Sequence, residues 1–379
     1  MNKETFCSLP FSEVFLGSDG GIRPCCSLRG ELGDINKSSL EDILNGDIAT
    51  SIRKSIIDGK WHSMCSQCEE LEPKGARTER THTVHFMDKF KNASKNDFVL
   101  ENLDLRWSNT CNLSCNYCYE YFSSKWAEIK GIKVNANKET AEEKIFTFIE
   151  NQVNQHNKLL QVRLLGGEPL LQKQNVRLLN TIKNNSKIYI LTNLTVPLET
   201  NKVAQLLLEN NNVTWGVSFE TVNKRFEYVR EGGKWDQLLS NLRLLHSKNK
   251  TIDSHPLYCL YSAFNLVEYY DFLDSEGCFS TQYWQVLQNI QGLDVFLLPN
   301  KLKIKALDEL ERCFVKYEHK FDMSLLKSIN QSLIDSLSKD SNNTDKCLNW
   351  LDELDKFIPA KKESFIELWP ELYQDFITK

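Results

Sequence analysis

The stretch that decides the fold is Trp107-Ser-Asn-Thr-Cys-Asn-Leu-Ser-Cys-Asn-Tyr-Cys118, which carries Cys111, Cys115 and Cys118. Three thiolates in a Cx3Cx2C pattern can bind three irons of a [4Fe–4S] cluster, because thiolate is the ligand that such clusters prefer. The fourth iron is then left without a protein ligand, which predicts that another molecule binds it. A zinc site usually takes a fourth Cys or His, and none lies in this segment.

The composition is that of a globular protein whose cysteines are available to metals. Hydrophobic residues make up 41% of the 379 positions and charged residues 26%, and 12 residues are cysteine. Met1–Phe6 has no apolar core of a secretion signal, and no stretch is apolar enough to span a bilayer. We therefore expect a cytoplasmic protein with no membrane partner. Cysteines in such a protein favour metal ligation over disulfides.

The charge pattern gives no global attraction to nucleic acid. The formal net charge is −5, which does not favour binding to phosphate. One basic stretch runs from Lys74 to Lys95 and includes Arg77 and Arg80. We interpret it as a solvated connector rather than a phosphate-binding tract.

Short apolar runs alternate with helical patterns from residue 102 onward. The predicted strands are Leu103–Trp107, Val162–Leu165, Ile188–Leu191, Val213–Val217, Leu257–Tyr261 and Tyr283–Leu287. The predicted helices between them are Ala141–Val153, Val176–Ile182, Lys202–Leu208, Trp235–His246 and Leu266–Leu273. Such alternation indicates parallel strands with helical crossovers. A closed eight-stranded barrel typically takes about 250 residues, so we predict an open, partial barrel.

The cysteine spacing resembles the signature of the radical S-adenosylmethionine (SAM) superfamily, in which the amine and carboxylate of SAM chelate the open iron. The resemblance makes the three cysteines both metal ligands and catalytic residues. The run Gly166-Gly-Glu-Pro169 follows the second predicted strand and resembles the family motif that contacts the SAM amino group. Gly166 and Gly167 let the backbone approach a ligand closely, while Glu168 supplies a carboxylate. Tyr117 occupies the family's aromatic position against the adenine.

Polar residues at or beyond the ends of later strands extend the resemblance. Asn193 ends the third strand, and Ser218 and Glu220 end the fourth. In relatives these positions carry groups directed at SAM or substrate, although many relatives have Asp where Glu220 stands. Arg230 matches a family arginine that pairs with the SAM carboxylate, a task that suits a bidentate guanidinium. A surface arginine near a helix cap is the alternative interpretation.

The N-terminal region carries its own set of cysteines. Cys7, twelve residues, Gly20, four residues and Cys25 resemble the opening of the SPASM and twitch auxiliary-cluster domains, and Cys65-Ser-Gln-Cys68 continues that pattern. The predicted ligands of an auxiliary [4Fe–4S] cluster are Cys7, Cys25, Cys65 and Cys68. Cys26 is a neighbour that could replace Cys25. Four thiolates would satisfy structural zinc equally well.

The resemblance implies a specific reaction. One electron from the reduced cluster breaks the sulfonium C–S bond of SAM, and the resulting 5′-deoxyadenosyl radical abstracts a hydrogen atom from an unactivated C–H position. The expected partners are a peptide or small-molecule substrate and an electron donor such as flavodoxin or ferredoxin. Two alternatives stay open at this point: a radical SAM enzyme acting on a polynucleotide such as tRNA, and a non-catalytic structural zinc module.

We therefore expect an α/β protein built around a partial (β/α)6 barrel. The predicted organisation is a twitch/SPASM-like auxiliary domain at residues 1–75, a basic connector at 76–100, the radical SAM barrel at 101–298 and a helical C-terminal cap at 299–379. The cap is interpreted as packing on the barrel, and Trp350–Phe357 and Phe365–Ile377 are predicted to be two of its helices. In most family members the auxiliary domain follows the barrel, whereas here it precedes it.

Overall fold

The computed structural model describes residues 1–74, 78–134, 139–156, 160–182, 186–287, 290–339 and 341–378. The strands are β1 (Glu13–Leu16), β2 (Gly21–Arg23), β3 (Gly33–Asp34), β4 (Asn102–Leu105), β5 (Ser114–Cys115), β6 (Gln161–Leu164), β7 (Lys187–Thr192), β8 (Val213–Val217), β9 (Arg230–Glu231), β10 (Thr251–Ser254), β11 (Leu257–Tyr258), β12 (Thr281–Gln282) and β13 (Gln285–Val286). The helices are α1 (Leu9–Ser12), α2 (Leu40–Asn45), α3 (Asp47–Ile57), α4 (Ser66–Leu71), α5 (Met87–Phe90), α6 (Ser124–Lys130), α7 (Glu139–His156), α8 (Gln174–Thr181), α9 (Lys202–Glu209), α10 (Asn223–Val229), α11 (Trp235–Ser247), α12 (Leu266–Glu276), α13 (Asn300–Tyr317), α14 (Ser324–Ser336), α15 (Thr344–Phe357), α16 (Lys361–Leu368) and α17 (Pro370–Ile377).

The chain forms two compact units, and the first contains the N-terminal cysteines. It comprises Met1–Thr110, Lys133–Ile190 and Lys202–Val213. Its sheet has the order β3-β2-β1-β4-β6-β7, in which β1 to β3 pair antiparallel and β1, β4, β6 and β7 run parallel. Strand β1 therefore extends the parallel sheet directly, although the sequence had placed it in a separate small domain.

A buried ion pair also ties β1 to the parallel strands. Glu13 of β1 is 2% exposed, and its carboxylate lies 2.7 Å from the guanidinium of Arg163 on β6. Asp104, on the intervening strand β4, lies 3.7 Å from the same guanidinium. Burial raises the pKa of Glu13 to about 8, while the charge of Arg163 opposes that shift. The pairing of β1 with β4 is thus reinforced by side chains on one face of the sheet.

The second unit comprises Cys111–Ile132, Leu191–Asn201 and Thr214–Lys379. In it, β8, β10 and β12 pair parallel in the order β8-β10-β12. Strands β4, β6 and β7 of the first unit, and β8, β10 and β12 of the second, alternate with helices along the described part of the chain. Strands β3 and β12 each have one neighbour in their sheet. The sheet is therefore open, and the prediction of an α/β fold with an unclosed barrel is confirmed.

Two of the predicted strands differ from the structure, and the sixth predicted strand, Tyr283–Leu287, contains only the two residues of β13. The fifth parallel strand is β10, Thr251–Ser254, whereas the apolar run predicted as a strand, Leu257–Tyr261, contributes only the two residues of β11. The rest of that run turns, because the Ser262 hydroxyl accepts a hydrogen bond from the N–H of Cys259 and donates to the carbonyl of Leu257. A run that is buried in a turn has the same apolar composition as a buried strand.

The C-terminal region is helical from α13 to α17, as predicted. The segment Phe365–Ile377, predicted as one helix, is broken between α16 and α17 because Pro370 cannot continue a helix and begins the next one. Within the residues that the structure describes, no helix has the length and apolar character needed to cross a bilayer.

Candidate functional site

Helix α6 and strand β9 hold the three-cysteine loop in the second unit. Cys115 lies in β5, where it pairs with Arg230 of β9. The hydroxyl of Ser124 accepts a hydrogen bond from the N–H of Cys111 at 3.1 Å. The indole of Trp126 donates to the carbonyl of Cys115 at 2.8 Å. The main chain on which the thiols are mounted is therefore fixed by elements outside the motif.

Burial makes two of these thiols hard to ionise. It raises the pKa of Cys115 and, with the nearby Cys115 thiolate, raises that of Cys118 to about 12. The positive charge of Arg230 lowers the pKa of both. Because cysteine binds metals as thiolate, a cation must take the place of the proton. Iron supplies that positive charge, so the donor set fits a cluster.

A buried network of three side chains lies beside Cys115. Tyr117 donates its hydroxyl to both carboxylate oxygens of Glu220, at 3.2 and 3.1 Å. Arg230 donates Nη2 to Glu220 at 2.7 Å, and its guanidinium lies 5.6 Å from the centre of the Tyr117 ring. The side chains of Arg230 and Glu220 are 6% and 0% exposed. The structure thus brings together three residues that sequence analysis had assigned to SAM separately.

Arg230 keeps one polar atom available. Its buried Nε has no hydrogen-bond partner within the described part of the chain. A guanidinium can bind a carboxylate through two parallel N–H groups, and Nη2 is already bonded to Glu220. An anionic ligand would therefore meet the edge that carries Nε.

A ring of amide and hydroxyl groups connects the end of β7 to the first cysteine. Asn193 donates Nδ2 to Asn112 at 2.9 Å, and the same nitrogen lies 4.0 Å from the sulfur of Cys111. Asn112 donates to the hydroxyl of Thr195 at 2.8 Å, and that hydroxyl donates to Asn193 Oδ1 at 2.6 Å. Leu194 between them has φ = 54°, a left-handed backbone conformation that is unfavourable for a side chain with Cβ.

Sequence analysis had missed Asn112 and Thr195. The available signal was their position: Asn112 lies between the first two cysteines, and Thr195 follows two residues after Asn193. Ser218, which sequence analysis had also assigned to SAM, is half-buried after β8, and its N–H donates to the carbonyl of Thr192 at 2.9 Å.

The Gly166-Gly-Glu168 run belongs to the first unit and packs on the main chain that leads into the cysteine loop. A Cβ on Gly167 would lie 2.3 Å from the carbonyl oxygen of Thr110 and 2.6 Å from that of Asn109. Gly166 has φ = 114°, and a Cβ there would lie 3.1 Å from the carbonyl oxygen of Ser108. Both glycines are therefore needed because the main chain packs closely on residues 108–110 of the protein itself.

Glu168 has a structural contact as well as a buried charge. It is 1% exposed, and its N–H donates to the carbonyl of Thr110 at 2.7 Å. Its Oε1 accepts the N–H of Leu170 at 3.1 Å, which caps the short 3-10 helix Pro169–Leu171. The carboxylate is thus held in one orientation directly after β6.

The N-terminal cysteines line one cavity of the first unit. The four predicted auxiliary ligands all contribute to its wall: Cys7, Cys25, Cys65 and Cys68. Cys26, the alternative to Cys25, does not contribute and is exposed. Burial, together with the neighbouring Cys65 and Cys68 thiolates, raises the pKa of Cys7 to about 12. Four thiols that face one cavity and repel one another as anions fit a shared cationic group.

Arg80 is part of this region's interior. It is 8% exposed, forms a bidentate ion pair with Glu72, and donates to the carbonyl of Phe6 at 3.0 Å. Its guanidinium lies 5.2 Å from the Trp61 ring. The interpretation of Arg80 as a solvated charge is therefore wrong, because its guanidinium is needed to satisfy buried main-chain and carboxylate oxygens. Arg77 lies outside the described residues.

Over the described ranges, no group of three or more His, Cys, Asp or Glu side chains is arranged to hold a single metal ion. A [4Fe–4S] cluster has a different requirement, because each thiolate binds a different iron.

Comparison with known proteins identifies the family. The sequence profile of the radical SAM superfamily matches residues 105–272, and that of the SPASM iron–sulfur cluster-binding domain matches residues 7–69. In this chain, residues 105–272 match a radical SAM domain. The two matches confirm the predicted family and auxiliary domain, and they imply a SAM-binding [4Fe–4S] cluster and an auxiliary cluster.

The curated relatives match over part of their length. The radical SAM cyclopropyl synthase TigE of Paramaledivibacter caminithermalis is 26% identical over 233 residues, which are 58% of this chain and 46% of TigE. The 7-carboxy-7-deazaguanine synthase of Clostridium acetobutylicum is 38% identical over 91 residues, 24% of this chain and 36% of that enzyme. The chain thus spans less than half the length of either relative.

Solved structures with some similarity include two enzymes with bound peptide. The anSMEcpe structure with AdoMet and the Cp18Cys peptide has a TM-score of 0.42 and 16% identity, over 58% of this chain and 61% of that one. Streptococcus suis SuiB with the precursor peptide SuiA has a TM-score of 0.41 and 20% identity, over 75% of this chain and 64% of SuiB.

Proposed function

We propose that this protein is a radical SAM enzyme that reductively cleaves SAM and abstracts a hydrogen atom from a peptide or small-molecule substrate. The observation that carries the proposal is the three-cysteine loop, held by α6 and β9 beside the buried Tyr117–Glu220–Arg230 network. The match of residues 105–272 to the radical SAM superfamily supports the same chemistry.

Cys111, Cys115 and Cys118 are the proposed ligands of the SAM-binding cluster. When bound, cluster and SAM together supply the one-electron cleavage of the sulfonium bond that yields a 5′-deoxyadenosyl radical. Three thiolates leave one iron without a protein ligand, which is the position that SAM requires. The chain's own task is to fix the loop, bind SAM in one orientation and exclude water.

The side chains beside Cys115 are proposed to orient SAM. Arg230 presents the edge that carries Nε to the SAM carboxylate, while Nη2 stays on Glu220. Tyr117 offers its ring face to the adenine, and the two hydrogen bonds to Glu220 fix the orientation of that ring. Glu220 thus contributes by positioning two neighbours. Asn193 and Ser218 supply further polar groups to the same ligand.

The Gly166-Gly-Glu168 run is proposed to contribute to SAM binding from the end of β6. Glu168 would accept the SAM amino group, a cation that lowers the free-energy cost of keeping a carboxylate buried. Gly166 and Gly167 allow the main chain to pack closely on residues 108–110.

The N-terminal cavity is proposed to hold the auxiliary [4Fe–4S] cluster on Cys7, Cys25, Cys65 and Cys68. Four cysteines give each iron one protein ligand, so no iron is open to substrate. Electron transfer or structural support is the role that this arrangement favours. Electrons for SAM cleavage would come from a donor such as flavodoxin or ferredoxin.

Iron and product analysis of protein reconstituted without oxygen tests the proposal. Wild-type protein should hold about eight irons from two cubes and release 5′-deoxyadenosine from SAM when reduced. A variant with Cys111, Cys115 and Cys118 all changed to Ala should keep about four irons and release none. Cys278→Ala, at a cysteine outside both sets, is the matched control. Wild-type protein with an intact cluster that yields no 5′-deoxyadenosine would overturn the proposal, and four irons with one zinc would overturn the auxiliary assignment.

A further inference from the structure

The C-terminal helical region contacts two helices next to the cysteine loop, α6 and α10. On one side, Phe357 at the end of α15 packs edge-on against Trp126, with ring centres 6.2 Å apart, and Trp126 donates to the carbonyl of Cys115. On the other side, Phe365 of α16 and Trp369 after it pack on Tyr228 of α10 at 6.2 and 5.3 Å. The region is therefore more than a packing cap on the barrel.

Lys361 places a positive charge where α16 packs on Tyr228 of α10. It is the first residue of α16, follows Ala360 in a left-handed conformation, and is 3% exposed. Its ammonium donates to the carbonyl of Tyr228 at 2.5 Å and lies 4.3 Å from the Tyr228 ring centre. It also forms a 2.7 Å ion pair with Glu231.

Glu231 lies in the strand that pairs with the cysteine loop. In the two-residue ladder, Glu231 is opposite Ser114 and Arg230 is opposite Cys115. Lys361 is thus bonded to the strand β9 and to the end of the helix α10 that precedes it. A buried charge needs such partners to be tolerated at all.

We propose that Lys361 is a positioning residue for the SAM-binding cluster, which it influences by fixing β9 and by placing a positive charge at the strand that pairs with Ser114 and Cys115. A positive charge near a cluster favours its reduced form, because reduction adds one negative charge. The inference rests on the proposed function. It adds that the C-terminal region helps set the reduction potential at which the cluster accepts its electron.

Redox titration monitored by EPR spectroscopy tests this role. The measured quantity is the ratio of reduced to oxidised cluster, for the cluster whose EPR signal changes when SAM is added. Lys361→Met keeps the length of the side chain and removes the charge. At a fixed applied potential we expect the ratio of reduced to oxidised cluster to fall about tenfold, the order of magnitude that one charge exerts over roughly 10 Å at an effective dielectric constant of about 20. For a one-electron couple, tenfold corresponds to about 59 mV.

Three further variants separate charge from packing. Lys361→Arg keeps the charge and should stay within about twofold of wild type. Lys362→Met removes a charge from the next residue, which pairs with Asp352 instead, and should also leave the ratio unchanged. Glu231→Gln removes the carboxylate that pairs with Lys361 and leaves the lysine charged. This variant should raise the ratio of reduced to oxidised cluster. It therefore tests the effect of the charge if Lys361→Met loses iron.

The outcomes distinguish the inference from the proposed function. If wild-type protein has no SAM-responsive cluster, the proposed function fails. If wild-type protein has one and cleaves SAM, but Lys361→Met retains iron and stays within twofold, the inference alone is refuted. If Lys361→Met loses iron, Glu231→Gln takes its place in the test. The inference is then refuted if Glu231→Gln lowers the ratio of reduced to oxidised cluster or leaves it unchanged.

Discussion

Replacing Gly167 with Ala should destabilise the protein where the Gly166-Gly-Glu168 run packs on residues 108–110. The new Cβ would lie 2.3 Å from the carbonyl oxygen of Thr110 and 2.6 Å from both the carbonyl carbon and oxygen of Asn109. All three atoms belong to the main chain, so no flexible side chain can move aside. The backbone of one segment has to shift instead.

The expected cost is at the upper end of the range for overpacked interiors. Such substitutions cost about 1–3 kcal/mol. With about 2–4 °C of melting temperature per kcal/mol for a unit of this size, a cost of about 3 kcal/mol predicts a fall of about 6–12 °C. The melting temperature of protein without metal, followed by circular dichroism, measures this effect without any contribution from the cluster.

Gly46→Ala is the matched control in the same unit. There the Cβ also meets main-chain oxygens, but at 3.1 and 3.4 Å. We expect a loss of about 1 kcal/mol, since alanine is a poorer helix N-cap than glycine. If Gly167→Ala lowered the melting temperature no more than Gly46→Ala, the close packing on residues 108–110 would not be what requires a glycine at position 167.

Two other substitutions test the assignments of the remaining site residues. Glu168→Gln removes the charge but keeps an oxygen that can accept the N–H of Leu170. SAM affinity measured by equilibrium binding should therefore fall several-fold, while the melting temperature stays near that of wild type. Unchanged affinity would show that Glu168 is not part of the SAM site. A Cys65→Ala, Cys68→Ala variant should still release 5′-deoxyadenosine, because the SAM-binding loop is intact, yet lose product formation; normal product at a normal rate would show that the N-terminal cluster has no part in catalysis.

The fold could be predicted where local pattern and final environment agree. Val213–Val217 forms a strand with the predicted bounds, because this apolar run lies in a buried parallel sheet. Thr251–Ser254 was missed because Thr251, Asp253 and Ser254 are polar, although the strand pairs with β8 and β12. The break at Pro370 was available from the sequence and was overlooked, since proline interrupts the hydrogen bonds of a helix interior.

The site could be predicted where a motif is continuous and not where contacts are long-range. The three cysteines and Gly166-Gly-Glu168 were found by spacing. The bonds of Tyr117 to Glu220 join residues 103 positions apart, and those of Lys361 to Tyr228 join residues 133 apart. Single-residue properties give no sign of such pairs. In the sequence, Lys361 stands beside Lys362 and would be predicted to lie on the surface. Only the fold shows that it is buried.

The pairing of β1 with β4 determines where this chain can be divided. Removing the residues before β4 would take away the strand whose main chain occupies that side of β4 and would leave Asp104 and Arg163 without Glu13. The uncovered strand would offer four residues of unpaired peptide groups to any other chain, which is the situation that promotes edge-to-edge aggregation. A catalytic fragment prepared without its N-terminal hundred residues would therefore be prone to self-association, and its inactivity would say nothing about the role of the N-terminal cluster.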